Sequence, residues 1–415
     1  MLEQIEGSLG VAKAVALCRP GVVCAYPISP QTHIVENVGK FVKNGTLKDC
    51  DFLNVESEFS AISVAIGSEV GGARTYTATA SQGLLYMTEG VYSASGLGLP
   101  IVMTVASRAI GGPINIWNDH SDSLSQRDSG WLQLFCESNQ DAVDTHIMAF
   151  KIAEEVGLPV MVCMDGFVLT HAFERLDIPS QETVDKFLPE YQPREYLTPK
   201  EPVSIGAMVG PEAFTEVRFL QQRKMAKALK VIEKVTKEYR DLTGSKSGGL
   251  LDCYNCENAD LKLVIMGSTV GTAKDEIDRL KSEGINVGII SLKSFRPFPY
   301  EAMAKAIGDT KKVICLERAF SFGARGIVCP EVKRAMEGKN CDVKTVVAGL
   351  GGRPIFGTTI RGIVKDALAD KFTEEFTWFD VNADVLNSYT DKTEGVTFKN
   401  GPIAQSVLEN SVKAE

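Results

Sequence analysis

Short apolar runs alternate with amphipathic stretches twice along this 415-residue chain, and few folds accommodate that rhythm. In the first round GVVCAYPI (21–28), DFLNV (51–55), RTYTATA (74–80), LPIVMTVA (99–106) and LPVMVCM (158–164) read as strands. Helical sequence separates them, including EFSAISVAIGSEV (58–70), QGLLYMTEGVYSASG (82–96) and DAVDTHIMAFKIAEEVG (141–157). Ser29 is expected to cap the helix after the first strand, with Pro30 at its first position and Asn44-Gly45 at its end. Strands this apolar on both faces belong to a parallel sheet with helices on either side. A second round begins at Leu261 with LKLVIMG, VGIISL, KKVICLE and VKTVVAG, again alternating with helical sequence. The predicted class is therefore α/β, with two doubly wound parallel-sheet domains, 1–180 and 256–371. Between them, 181–255 reads as an irregular linker and a long bracing helix (212–242), closed by the turn GSKSGG (244–249). Residues 372–415 show little periodicity and read as an arm laid on a neighbouring chain.

Composition narrows the function. A net charge of -9 disfavours a nucleic-acid partner, and no apolar run is long enough for a membrane helix. The N-terminus lacks a signal-peptide pattern, so a reduced, cytoplasmic setting is expected. Of the ten cysteines only Cys253 and Cys256 form a C-x-x-C pair, with no second pair at metal-site spacing. They read as incidental loop thiols. An iron–sulfur cluster needs four thiolates in a suitable run, and none is present.

Ligands of open parallel sheets bind beyond the carboxyl ends of the strands. That rule selects Ser29, Glu58, Ser81, Gln82, Ser107 and Arg108, all on one edge of the first sheet. Glu58 opens an apolar helix, where poor hydration favours a carboxyl that shares a proton. It could equally cap its own helix, and Glu56 competes for any catalytic role. Arg108 suits a bidentate grip on a carboxylate, or a pairing with Asp119 or Asp122. The loop NDHSD (118–122) reads as a solvated Asx turn rather than a cation site, so no metal ligand is assigned to this chain. His33 and His146 lie in helical sequence and read as structural.

At these same residues the chain resembles the alpha subunit of the pyruvate:ferredoxin oxidoreductase family. AYPISPQTHIVE (25–36) is similar to the family's Y-P-I-T-P signature, with Ser29 in place of threonine. VESEFSAISVAIG (55–67), TASQGLL (79–85), SRAIGGPINIWNDHSD (107–122) and RDSGW (127–131) resemble further motifs. So do MDGFVLTH (164–171), SFRPFP (294–299) and GLGGRPI (349–355). The resemblance implies a pyrimidine-binding-like domain for thiamine diphosphate, followed by a transketolase C-terminal-like domain. It implies that Glu58 activates the thiamine ring, that Pro27, Ile28, Ser81 and Gln82 line the cofactor, and that Ser29 and Arg108 bind the substrate. The reaction implied is CoA-dependent oxidative decarboxylation of a 2-oxoacid, with pyruvate first and a bulkier or aromatic oxoacid such as phenylglyoxylate as the alternative. A non-catalytic scaffold subunit is the remaining reading. The G-D-G motif that binds diphosphate and Mg²⁺ is missing. Beta, gamma and delta-type subunits are therefore expected to supply it, together with [4Fe-4S] clusters that pass electrons to ferredoxin or another acceptor.

Overall fold

The computed structural model describes residues 2–384, organised around two large sheets. The first has the order Ser294–Arg296, Leu132–Phe135, Val160–Asp165, Val102–Ser107, Thr75–Thr79, Val22–Ala25, Asp51–Asn54. All its strands are parallel except Ser294–Arg296. From Val22–Ala25 the chain moves outward to Asp51–Asn54, then returns and builds the other way from Thr75–Thr79. Connections diverge at that switch, which opens a crevice beyond the carboxyl ends of the two inner strands.

Period-two alternation feeds two cores from this sheet. Val23 and Ala25 join the layer beneath helices Gly7–Leu17, Thr32–Lys43 and Asn139–Val156. Cys24, between them, points to the layer beneath Glu58–Val70 and Thr88–Leu97. The predicted bracing helix is Phe214–Thr243, packed on Asn139–Val156 through Val231, Ile232 and Val235.

The second sheet runs Phe376–Trp378, Asp342–Val347, Lys312–Glu317, Leu261–Ile265, Val287–Leu292, Leu251–Tyr254, with only the last antiparallel. Its own switch lies between Leu261–Ile265 and Lys312–Glu317. Helices Thr269–Ser282 and Gly357–Leu368 cover one face. The other face shares a continuous core with the first sheet, in which Val264, Ile290 and Leu292 join Phe135 and Phe295. Burying each such side chain contributes about 1.5–3 kcal/mol. The two sheets are therefore held together by the same force that folds each of them.

Several expectations need correction. Ser29 caps nothing: the Ser29–Pro30 bond is cis and the helix starts at Thr32. The single helix expected over 82–96 is two, Ser81–Tyr86 and Thr88–Leu97. Thr88 Oγ1 donates to the Leu85 carbonyl at 2.7 Å at the junction, a local bond that competes with the helical ladder. The expected irregular linker contains helix Gln181–Phe187, capped by Ser180. The expected arm begins instead with Phe376–Trp378, an added strand of the second sheet, and its remainder from 385 lies outside the described residues. Strands Leu2–Glu6 and Phe173–Asp177 form a separate ribbon. Among the described residues, no helix is long and apolar enough to cross a membrane.

Candidate functional site

The turn after Val22–Ala25 is set from beneath by Gln31. Its buried amide donates to the Ala78 carbonyl at 2.6 Å and reaches the Tyr26 carbonyl at 3.4 Å, so it ties the two strands of the switch together. Pro27, Ile28 and Ser29 are thereby presented towards solvent. The Arg108 guanidinium crosses from the end of Val102–Ser107 and donates to the Ser29 carbonyl at 2.9 Å and the Asn115 carbonyl at 3.0 Å. Arg108 pairs with neither Asp119 nor Asp122 through its side chain. Its backbone N–H donates to Asp122 Oδ2 instead.

Glu58 occupies the first position of its helix, while the cap is Ser57, whose Oγ accepts from Ser60 N. Its side chain is only 8% exposed, and no hydrogen bond of its carboxylate occurs among the described residues. Glu56 faces outward and accepts from Ser60 Oγ at 2.5 Å. Gly83 makes room for Glu58, since a Cβ there would lie 2.6 Å from Glu58 Oε1 and from Thr79 Oγ1. Thr79 Oγ1 is itself buried without a partner. An unpaired carboxyl group and an unpaired hydroxyl thus share one recess at the sheet's carboxyl edge.

Ser81 and Gln82 are occupied by the protein. Ser81 has a positive φ of 49°, its Oγ lies 2.5 Å from both the Ala109 carbonyl and Gln82 Oε1, and its N–H donates to Asp122 Oδ2 at 2.9 Å. Asp122 is fully buried and takes backbone N–H groups from Ser81, Arg108 and Ser123. Burial pushes its carboxyl up to about 6, against the pull of those three bonds. It therefore clamps the ends of two neighbouring strands. Asp119 accepts from the Ser121 N–H and from the Gly351 N–H, which ties the NDHSD loop to the second domain.

Sequence reasoning missed a buried polar network at the junction of the two sheets. Asp165, at the end of Val160–Asp165, receives His120 Nε2 at 2.8 Å, Arg318 Nη1 at 2.8 Å and the Ser268 N–H at 2.9 Å. All but Ser268 are almost fully buried. Burial alone would raise the Asp165 carboxyl, yet Arg318 and His120 hold it well below the usual carboxylate range. Ser268 and Arg318 follow the two inner strands of the second sheet, so the strand-end rule applied there would have found them.

A cavity of about 890 Å³ lies elsewhere, between the start of Asn139–Val156 and the end of Phe214–Thr243. Its buried charged groups are paired: Lys293 with Asp141 at 2.9 Å, and Asp144 with Tyr239, Ser245 and Ser247. It touches none of the residues above, and its inward-facing charges already satisfy one another. The Cys253 thiol, exposed on the second sheet's edge, is drawn down to about 7 by a hydrogen bond with Cys256. Around the first switch, by contrast, Tyr26, Phe59, Tyr86, Tyr92, Ile114 and Trp117 are all exposed, Ile114 by 78%. Such a rim of large apolar side chains marks a surface made to be covered.

Residues 13–237 match the family profile for the thiamine-diphosphate-binding domain of pyruvate flavodoxin/ferredoxin oxidoreductases. Residues 259–360 match core domain II of pyruvate:ferredoxin oxidoreductase. The chain is 44% identical to the pyruvate synthase subunit PorA of Methanosarcina barkeri over 367 residues, covering 87% of this chain and 91% of that protein. It is 38% identical to the ketoisovalerate oxidoreductase subunit VorA of Pyrococcus horikoshii, covering 90% and 97%. In fold it resembles the solved 2-oxoglutarate:ferredoxin oxidoreductase of Magnetococcus marinus, with a TM-score of 0.66 at 21% identity. That likeness spans 88% of this chain but 65% of the other. A split-gene transketolase is also similar, with a TM-score of 0.53 at 14% identity over 88% and 99% of the two chains.

Proposed function

Because this chain belongs to the pyruvate flavodoxin/ferredoxin oxidoreductase family, we propose that it contributes the pyrimidine half of a thiamine diphosphate site to a multi-subunit, CoA-dependent pyruvate:ferredoxin oxidoreductase. The observation that carries this reading is the Glu58 carboxyl group, buried at the switch crevice and without a partner. Thr79 Oγ1 beside it is fully buried without a partner, and a buried unpaired polar group is costly unless a ligand completes it. The aminopyrimidine ring fits that vacancy, because its N1′ nitrogen needs a carboxyl group to exchange a proton with. The diphosphate end does not fit here, since the chain has no G-D-G sequence for the phosphates and Mg²⁺. We assign that end, and the [4Fe-4S] clusters, to beta, gamma and delta-type partner subunits that would cover the exposed aromatic rim.

When bound, thiamine diphosphate would supply the nucleophilic carbon for chemistry at a 2-oxoacid carbonyl. Glu58, at the switch crevice, would stand where it could hold or release the proton of the pyrimidine nitrogen. Pro27 and Ile28, presented by the Gln31-pinned turn, form an apolar wall against the ring. Ser81 and Gln82 shape the far side through backbone position, since their side chains bond to each other. Arg108, oriented by two carbonyls, directs its remaining N–H groups at the substrate carboxylate, and the Ser29 hydroxyl stands beside it.

The test is reconstitution of the chain with its partner subunits, followed by ferredoxin reduction with pyruvate, 2-ketoisovalerate and phenylglyoxylate in turn. Pyruvate is expected to give the highest kcat/KM, and a higher value for either bulkier acid would reassign the substrate. Calorimetry on the isolated chain should show no tight Mg²⁺-dependent binding of thiamine diphosphate.

A further inference from the structure

Glu6, His33 and His171 converge from three separate elements, although they are far apart along the chain. Glu6 ends the strand Leu2–Glu6, His33 lies in the first turn of Thr32–Lys43, and His171 closes the turn after Val160–Asp165. One ligand atom of each lies within 4.8 Å of the others. The His33 and His171 ring centres are 4.7 Å apart, with planes inclined by 33°. Two imidazoles sharing one ion at nitrogen–metal distances of about 2.0–2.1 Å place their ring centres about 4.5–5 Å apart. The observed separation is compatible with that range.

The other contacts agree with this geometry. Glu6 Oε1 lies 2.8 Å from His33 Nδ1, close enough for both to occupy neighbouring positions on one ion. The Thr170 hydroxyl lies 2.7 Å from His171 Nδ1, the kind of contact that orients a metal-bound imidazole. Phe167 packs 4.8 Å from the His171 ring and fixes its orientation. The His33 side chain remains 46% exposed and that of Glu6 17%, so water can complete the coordination sphere.

We propose that Glu6, His33 and His171 form a binding site for one divalent transition-metal ion of the zinc class. Two imidazoles and one carboxylate are the donor set such ions prefer, whereas Mg²⁺ and Ca²⁺ favour all-oxygen sites. The position gives the ion a structural task. His33 lies four residues after Ser29, and the His171 turn begins at Gly166, which packs so closely on Pro30 that a Cβ would lie 2.5 Å from its ring. The ion therefore ties the N-terminal strand and this turn to the segment that presents Ser29. It is distinct from the Mg²⁺ of the diphosphate, which the proposed function places on a partner subunit.

The experiment uses the full chain without an affinity tag, stripped with a chelator, and titrated with Zn²⁺ by calorimetry and with Co²⁺ by visible absorption. One ion per chain is expected, with cobalt d–d bands of a nitrogen- and oxygen-ligated site. His171→Ala, His33→Ala and Glu6→Gln should each weaken Zn²⁺ binding by at least the roughly 10–100-fold that loss of an outer-shell partner costs in known sites. Absence of stoichiometric binding overturns the proposal, as does binding that survives all three substitutions unchanged. Should His171→Ala fail to fold, the exposed His33→Ala and the isosteric Glu6→Gln decide the matter alone.

Discussion

Both sheets are doubly wound and both have a switch point, but the two crevices have opposite fates. At the second switch, between Leu261–Ile265 and Lys312–Glu317, Asp165 of the first domain enters and is met by Ser268 and Arg318. Glu317, beside it, is consumed by the N–H groups of Ile327, Val328 and Cys329 at the start of helix Val328–Ala335. The second crevice is plugged by the protein's own charges. At the first switch, Glu58 and Thr79 Oγ1 have no partner, and the surrounding aromatic side chains face outward. Identical topology thus yields a seam in one place and a site in the other. What decides is whether the strand-end groups have already found partners within the chain.

Substitutions should separate these fates. The largest effect is expected for Glu58→Gln, which should lower turnover of the reconstituted complex by about 10²–10⁴ without altering assembly. Glu56→Gln should leave turnover near normal, and the reverse outcome would exchange the roles of the two acids. At the seam, Arg318→Met strips the guanidinium from a buried carboxylate, leaving it His120 and Ser268, and should cost the chain about 3–5 kcal/mol in urea unfolding, a loss that Glu58→Gln should not show. Because Asp165 is held below its ordinary value, its contribution is fully present above about pH 4 and fades only as the pH falls further. Arg318→Met should weaken that acid-side dependence, with His120 and Ser268 still holding the carboxylate. Arg108→Ala should reduce kcat/KM for the 2-oxoacid by about 10²–10³ while the KM for CoA stays constant. Ser29→Ala, which removes one hydrogen bond to a charged group, should cost only about 1.5–3 kcal/mol in the same kinetics. Equal losses for the two would mean that Arg108 acts mainly by holding the Ser29 turn.

The class of fold and most strands of both sheets were legible because apolar runs and helical spacing are local signals. Glu58–Val70 matches its predicted bounds, since an N-cap serine and an apolar face mark it from both ends. The strand-end rule assembled the candidate residues on one edge without any contact information. It could not show that Asp122 would take backbone N–H groups rather than the Arg108 side chain, because that depends on loop geometry. Gln31, Gly83 and Asp165 were invisible for the same reason: their distant partners lie 45 to 153 residues away or are defined by the space around them. Ser29 misled because cap chemistry and a tight turn before proline use the same residues.

The strand Ser294–Arg296 has a practical consequence. It belongs to the second half of the sequence, yet it closes the first sheet by pairing with Leu132–Phe135. A gene cut at the glycine turn 244–249 would therefore produce an N-terminal fragment with an unprotected sheet edge, the kind of surface that recruits strands from other molecules. The C-terminal fragment would carry a strand with nothing to pair against. The two halves are better regarded as one unit of inheritance and of expression than as exchangeable modules, and heating should melt them in a single transition.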